Sequence, residues 1–197
     1  MTGKNTNRDT RTDLLLAAER SFAHKGYAAV GINEILSSVG VPKGSFYHYF
    51  SSKDAFGEAV IVRYFEQYLA EMDEILNAAD QLWAARILAY FASWRDSQSF
   101  GDCEGKCLAV KLGAEVADMS EPMRLALKTG TAKIVDRLER AIIGAATDGS
   151  SPFTGDARST ADALYQLWLG TSVMAKVQRS LAPLDTATTV TRQLLGI

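Results

Sequence analysis

Five residues that can donate hydrogen bonds, Lys43, Ser45, Tyr47, His48 and Tyr49, fall within the single stretch Pro42–Phe50, which contains no acid. Each can donate to a phosphate or a base edge, His48 according to its tautomer. Phe46 and Phe50, four apart, would share one face of a helix and anchor it, leaving the donors on the other. Lys53 follows close to the expected start of the next helix, where the helix dipole and the ammonium both favour phosphate. Taken singly, an aromatic on a short helix reads as core and Lys53 as a solvated charge. Taken as a spaced set, they describe a surface for nucleic acid.

A second chemistry is available at Cys107. A thiol just ahead of a helix sits in positive potential, and neighbouring lysines lower its pKa further. Lys106 and Lys111 are close in sequence. Such a thiolate would attack maleimides, quinones or α,β-unsaturated aldehydes, or be oxidised to sulfenic acid by hypochlorous acid or peroxide. The common fate of a lone cysteine is nonetheless a buried, inert thiol, and by its residues alone Cys107 fits that description first. Cys103 lies four residues earlier and is either a resolving thiol or without a role. A thiol-dependent detoxifying enzyme is a remote alternative. The only histidines, His24 and His48, are both N-terminal, so no Cys-His-Asp set is in sight. No cofactor or metal site is implied, and two cysteines are too few for a four-cysteine zinc site.

The elements that must position these groups have helical periodicity. A first helix is expected over Thr10–Lys25, opened by a Thr10-x-x-Asp13 capping box and ended by Gly26 in the left-handed conformation. Short helices follow over Asn33–Val39 and Pro42–Phe50, joined through Gly40, which makes a helix-turn-helix candidate. Ser51-x-x-Asp54 would open a long helix to Asn77. The remainder reads as helices over Leu82–Ser97, Leu108–Ala117, Pro122–Ala145, Asp156–Ser180 and Asp185–Leu195, with breaks rich in Gly, Pro and small polar residues. No strand pattern competes, so the expected class is all-α.

Composition sets the bounds. The chain has 197 residues, 47% hydrophobic and 22% charged, an ordinary globular profile that excludes collagen-like and wholly disordered readings. The net charge of −2 hides an asymmetry, because residues 1–57 carry seven Lys/Arg against five Asp/Glu. The polar start is not a secretory signal. The longest charge-free stretch, Ala163–Ala175, is thirteen residues, short of the roughly 20 that a membrane span needs. A cytoplasmic protein with no membrane partner is expected.

The stretch Gly40, Ser45, Phe46, Tyr47, His48, Tyr49, Phe50 and Lys53, with Phe22 and Gly26-Tyr27 before it, resembles the TetR family of transcriptional repressors. The resemblance implies an N-terminal helix-turn-helix domain over about residues 1–55 and an effector-sensing and dimerisation domain over 56–197. It also implies that Lys43, Ser45 and His48 face base edges, that Tyr47, Tyr49 and Lys53 hold phosphates, and that Asn33 contacts backbone or base. Gly31 stands where the family often has a capping Thr. The family's intersubunit four-helix bundle implies a homodimer on a palindromic operator. Leu164, Leu167, Trp168 and Thr171 on one helix face are candidates for its surface, as are Leu184, Val190, Leu194 and Ile197, although each reads equally as core. An effector cavity could draw on Phe91, Trp94, Met119 and Trp168, with Trp83, Tyr90 and Met123 nearby.

Residues 103–124 and 162–181 resemble one branch more narrowly, the N-ethylmaleimide-type repressors that respond to electrophiles and oxidants. The run Cys107 to Leu112 and the pair Ala175-Lys176 carry that likeness. It implies that Cys107 senses the effector, with Lys176 near it. A non-covalent ligand such as a small unsaturated acid is the alternative, and a purely structural helical dimer is a third reading.

Overall fold

The computed structural model describes residues 6–97 and 108–197, and these form nine helices with no strand among them. They are α1 (Thr6–Lys25), α2 (Ile32–Ser38), α3 (Lys43–Tyr49), α4 (Lys53–Leu76), α5 (Trp83–Asp96), α6 (Leu108–Val116), α7 (Glu121–Thr147), α8 (Ala157–Gln178) and α9 (Ala182–Leu195). Cys103, Lys106 and Cys107 lie outside the described residues. No helix among the described residues is long and apolar enough to cross a membrane.

The helices match the expected ones, with instructive differences at their ends. α1 begins at Thr6, so Thr10 lies inside the helix rather than capping it. The cap of α4 is Ser52 and not Ser51: its Oγ accepts the Ala55 N–H at 3.0 Å. Asp54, expected to close a capping box, instead accepts the Tyr27 hydroxyl at 2.6 Å. Pro183 does not break the chain but sits in the first turn of α9, where its missing N–H costs nothing. Asp156 caps α8 as periodicity and residue type suggest, accepting the Ser159 N–H at 2.7 Å.

The chain divides into two compact units, one from the described residues within 1–66 and 103–130, the other from those within 67–102 and 131–197. α4 and α7 contribute residues to both. In the first unit, Leu14, Ala18 and Phe22 of α1, Ile35 and Leu36 of α2 and Phe46 of α3 are buried together with Phe56 and Val60 of α4. Phe56 is the hub, with ring centroids 5.2 Å from Phe46, 4.6 Å from Phe50 and 6.3 Å from Phe22. Each such ring contributes about 1.5–3 kcal/mol by leaving water.

In the second unit, Met72, Ile87, Phe91, Ile142, Leu164, Trp168 and Leu184 are buried. Two indoles thread hydroxyls through this core. Trp94 Nε1 donates to Ser172 Oγ at 3.0 Å, and Ser172 donates to the Trp168 carbonyl at 2.7 Å. Trp168 Nε1 donates to Thr191 Oγ1 at 3.0 Å, and Thr191 donates to the Ala187 carbonyl at 2.7 Å. Every buried polar atom in this set is satisfied, which is what makes it tolerable in an apolar core. Leu164 and Trp168 are therefore inside their own unit and not on a face offered to a partner. The large apolar residues that α8 leaves exposed are Val173, Met174 and Val177.

Candidate nucleic-acid interface

α2 and α3 are each seven residues long and meet at a tight turn. Gly40 takes φ +68°, a left-handed conformation that a side chain would strain, and the Val41 N–H reaches back to the Leu36 carbonyl at 3.0 Å. α2 starts at Gly31 without a side-chain cap. α3 starts at Pro42, whose φ of −62° suits a helix entry.

The face that α3 presents follows from its period. Phe46 and Phe50 are buried against Phe56 of α4, which is what anchors the helix. Lys43, Tyr47 and His48 are exposed, and Ser45 and Tyr49 are half-buried. Tyr47 is 60% exposed, a large aromatic held out in solvent with its hydroxyl available. Asn33 is exposed in the first turn of α2. The acid beside it, Glu34, is paired with Lys25. A further cation borders the face: the Arg11 guanidinium lies 5.2 Å from the Phe50 ring centroid. Nothing in the sequence pattern singled out Arg11, because its place depends on the packing of α1 over Phe50, just past the end of α3.

Lys53 is not a free surface charge. Its ammonium donates to the Tyr27 carbonyl at 3.0 Å and lies 4.4 Å from the Tyr27 ring centroid. An ammonium has three donors, so two are left for a phosphate. Tyr27 is held from its other end as well, where its hydroxyl donates to Asp54. Burial, and then the Asp54 carboxylate, push the Tyr27 phenol above its ordinary value and keep it a donor.

The loop carrying Tyr27 is also held from α6. Glu115 accepts the Tyr27 N–H through Oε2 at 3.1 Å and the Ala28 N–H through Oε1 at 2.7 Å. Gly26 makes this possible. Its φ is +87°, and a Cβ there would come within 2.7 Å of Glu115 Oε2. Glu115 and Asp54 were not legible as functional residues, since each acts on a backbone or ring distant in sequence.

The residues expected around an effector are placed differently. Cys107 is outside the described residues, and Lys176 is half-buried on α8. Phe91, Trp94 and Trp168 do come together, but in contact with one another. Phe91 and Trp168 stack at 4.6 Å with rings 18° from parallel, and Trp94 lies 5.9 Å from Trp168. Of the three, Phe91 borders a cavity of about 310 Å³, along with Leu88, Ala92, Arg95, Thr188 and Arg192. Met119 belongs to the other unit, where it is 53% exposed.

Comparison with known proteins agrees with this architecture. Residues 14–60 match the family described as bacterial regulatory proteins of the tetR family, and residues 84–191 match a tetracyclin repressor-like C-terminal domain. The chain is 38% identical to the HTH-type transcriptional repressor NemR of Escherichia coli strain K12, over 93% of this chain and 92% of that protein. It is 29% identical to the HTH-type transcriptional repressor DhaR of Mycobacterium sp. strain GP1, over 94% and 91%. It superposes on the crystal structure of E. coli NemR in its reduced form with a TM-score of 0.90 and 38% identity, covering 95% of this chain and 97% of that one. Its two-part helical sequence, its exposed acid-free α3 and these likenesses lead to one assignment: the chain belongs to the TetR family of bacterial regulatory proteins.

Proposed function

We propose that this chain is a cytoplasmic transcriptional repressor that binds a palindromic operator as a homodimer and is released by a reactive electrophile or oxidant acting at Cys107. The observation that carries the DNA-binding part is α3, whose exposed face offers Lys43, Tyr47 and His48 and no acid. A helix of this size fits a major groove about 12 Å wide. Lys43, Ser45 and His48 read base edges, while Tyr47, Tyr49 and Lys53 hold phosphates and Asn33 adds a contact from α2. Residues 1–55 form the DNA-binding domain and 56–197 the sensing and dimerising domain. Two copies are needed because one short helix binds weakly, and a twofold dimer reads two half-sites. The apolar residues left exposed on α8, Val173, Met174 and Val177, suit such a contact.

The sensing part is supported by the likeness to NemR, whose matched structure is of a reduced form. The Cys107 thiolate adds through Sγ to the β-carbon of a maleimide or an α,β-unsaturated carbonyl, and the resulting enolate takes a proton from water. Lys176 is the second residue of the proposed sensor. Modification favours a second conformation whose paired α3 helices no longer match adjacent grooves.

A reversible ligand, a small unsaturated acid, is the second reading. The cavity beside Phe91 favours it: about 310 Å³, largely apolar, and bordered by Arg95 and Arg192. Arg95 is paired with Asp185 at 2.7 Å, whereas Arg192 has no ion pair among the described residues.

Fluorescence anisotropy on the DNA upstream of the protein's own gene separates these. Release by N-ethylmaleimide from the wild type but not from Cys107→Ser supports the thiol sensor. Binding that ignores the reagent moves the effector to the cavity, and absence of salt-sensitive binding removes the repressor reading altogether.

A further inference from the structure

Glu115 stands in the last turn of α6, the end at which the helix dipole disfavours an anion. It also lies beside the C-terminus of α1, where the same is true. Neither helix gains from a carboxylate there. What the carboxylate does satisfy is the loop that follows α1. The Tyr27 and Ala28 N–H groups are its two donors, and among the described residues they have no other acceptor. Charge-assisted bonds of this kind are about twice as strong as neutral ones. The close approach depends on Gly26, where even a methyl group would meet Oε2 at 2.7 Å.

The same loop is gripped from α4. Lys53 takes the Tyr27 carbonyl, Asp54 takes its hydroxyl, and the Tyr27 ring meets Phe22 edge-on at 5.4 Å. Three residues after Tyr27, Val30 is fully buried, and α2 begins at Ile32. The loop that leads into α2 is therefore pinned through its backbone by a side chain from α6 as well as by Lys53 of α4, and so contributes to the placement of the α2–α3 pair alongside the packing of Phe46 and Phe50.

We propose that Glu115 is a positioning residue for DNA binding: by clamping the Tyr27 and Ala28 amides it holds the α2–α3 pair in the arrangement that fits the operator, and release of this clamp is how a change in α6 lowers DNA affinity. The second half rests on the proposed sensor at Cys107. α6 opens at Leu108, the next residue, and Glu115 lies about two helical turns further on. A rotation or shift of α6 caused by adding a group at residue 107 would carry the carboxylate away from both amides at once. Because Glu115 touches no DNA-facing side chain, it contributes alignment and no phosphate contact.

The test uses the full chain with Glu115→Gln, which keeps the size of the side chain but has one acceptor oxygen and a clashing amide donor in place of the second. Operator affinity, its salt dependence, the melting temperature and amide hydrogen exchange at Tyr27 and Ala28 are measured together. The expected result is operator binding weakened about tenfold or more at an unchanged salt slope. The melting temperature stays within a few degrees, and exchange at the two amides is at least tenfold faster. N-ethylmaleimide on the wild type should accelerate exchange at the same two amides. Wild-type affinity in Glu115→Gln, or unaltered exchange at both amides, overturns the positioning role. If N-ethylmaleimide releases DNA from the wild type without altering these amides, the coupling is wrong and the positioning role stands. If it releases no DNA at all, the Cys107 reading has failed, while the affinity and exchange of Glu115→Gln still decide the clamp.

Discussion

The ammonium of Lys53 lies 4.4 Å from the centroid of the Tyr27 ring and donates to the Tyr27 carbonyl at 3.0 Å. One lysine at the start of α4 thus fastens the end of the first helix and keeps donors for a phosphate. Lys53→Ala should weaken binding to operator and to random DNA alike and reduce the magnitude of the salt slope by about one. It should also lower stability by about 0.5–2 kcal/mol through the lost cation–π contact. Salt-series anisotropy with a denaturant melt checks both, and wild-type stability with full DNA loss would deny the fastening role.

Ser45 and His48 behave differently if they read bases. Ser45→Ala and His48→Ala should each redistribute the sequences recovered from a random library, with a penalty of about 1–3 kcal/mol at one or two positions of each half-site. A uniform loss over all sequences would move both residues to the phosphate class.

Val173 and Val177, one turn apart on α8, are 45% and 71% exposed. If this face meets a second copy, Val177→Asp places a charge in an apolar contact and should convert the dimer to monomer in sedimentation velocity. Helix content should stay intact, because Val177 supports nothing inside its own unit. A dimer that tolerates the aspartate places the interface elsewhere.

Thr191→Val tests the buried hydroxyl network. The Trp168 indole N–H would lose its acceptor at 3.0 Å. The expected cost is about 1–3 kcal/mol in urea unfolding, large for a change that keeps the side chain's shape. A loss below about half a kilocalorie would mean that the indole finds another partner.

Arg137 holds both oxygens of Asp73, at 2.6 and 2.7 Å, and this pairing keeps the carboxyl below its ordinary range. A depressed folded pKa adds stability above the unfolded value, about 3.9, and that stability is lost as pH falls through the folded one. Arg137→Ala should therefore destabilise the protein at pH 7 and flatten the fall in urea midpoint below pH 4. An equally steep acid limb in the variant would assign it to other carboxylates.

Much of the fold was local enough to read from residue order. Periodicity placed the helices of the described residues, Gly26 was legible as a left-handed stop and Gly40 as the joint between two helices, and the acid-free face of α3 followed from the i, i+4 pair Phe46 and Phe50. These are interactions between near neighbours on one helix, so the types and spacing of residues contain them. Helix ends were less legible, because Ser51 and Ser52 are adjacent residues of the same type and only the backbone's course makes Ser52 the one that caps α4.

What residue order could not contain is contact across distance. Glu115 meets the Ala28 amide from 87 positions away, and nothing about either residue announces the other. The stripe Leu164 and Trp168 is as apolar as an interface would be, yet the stacking of Phe91 and the Thr191 hydroxyl turn it inward. Periodicity determined that α8 has an apolar face. Only the packing of α5 and α9 against it decided which residues that face buries and which, like Val177, it leaves exposed.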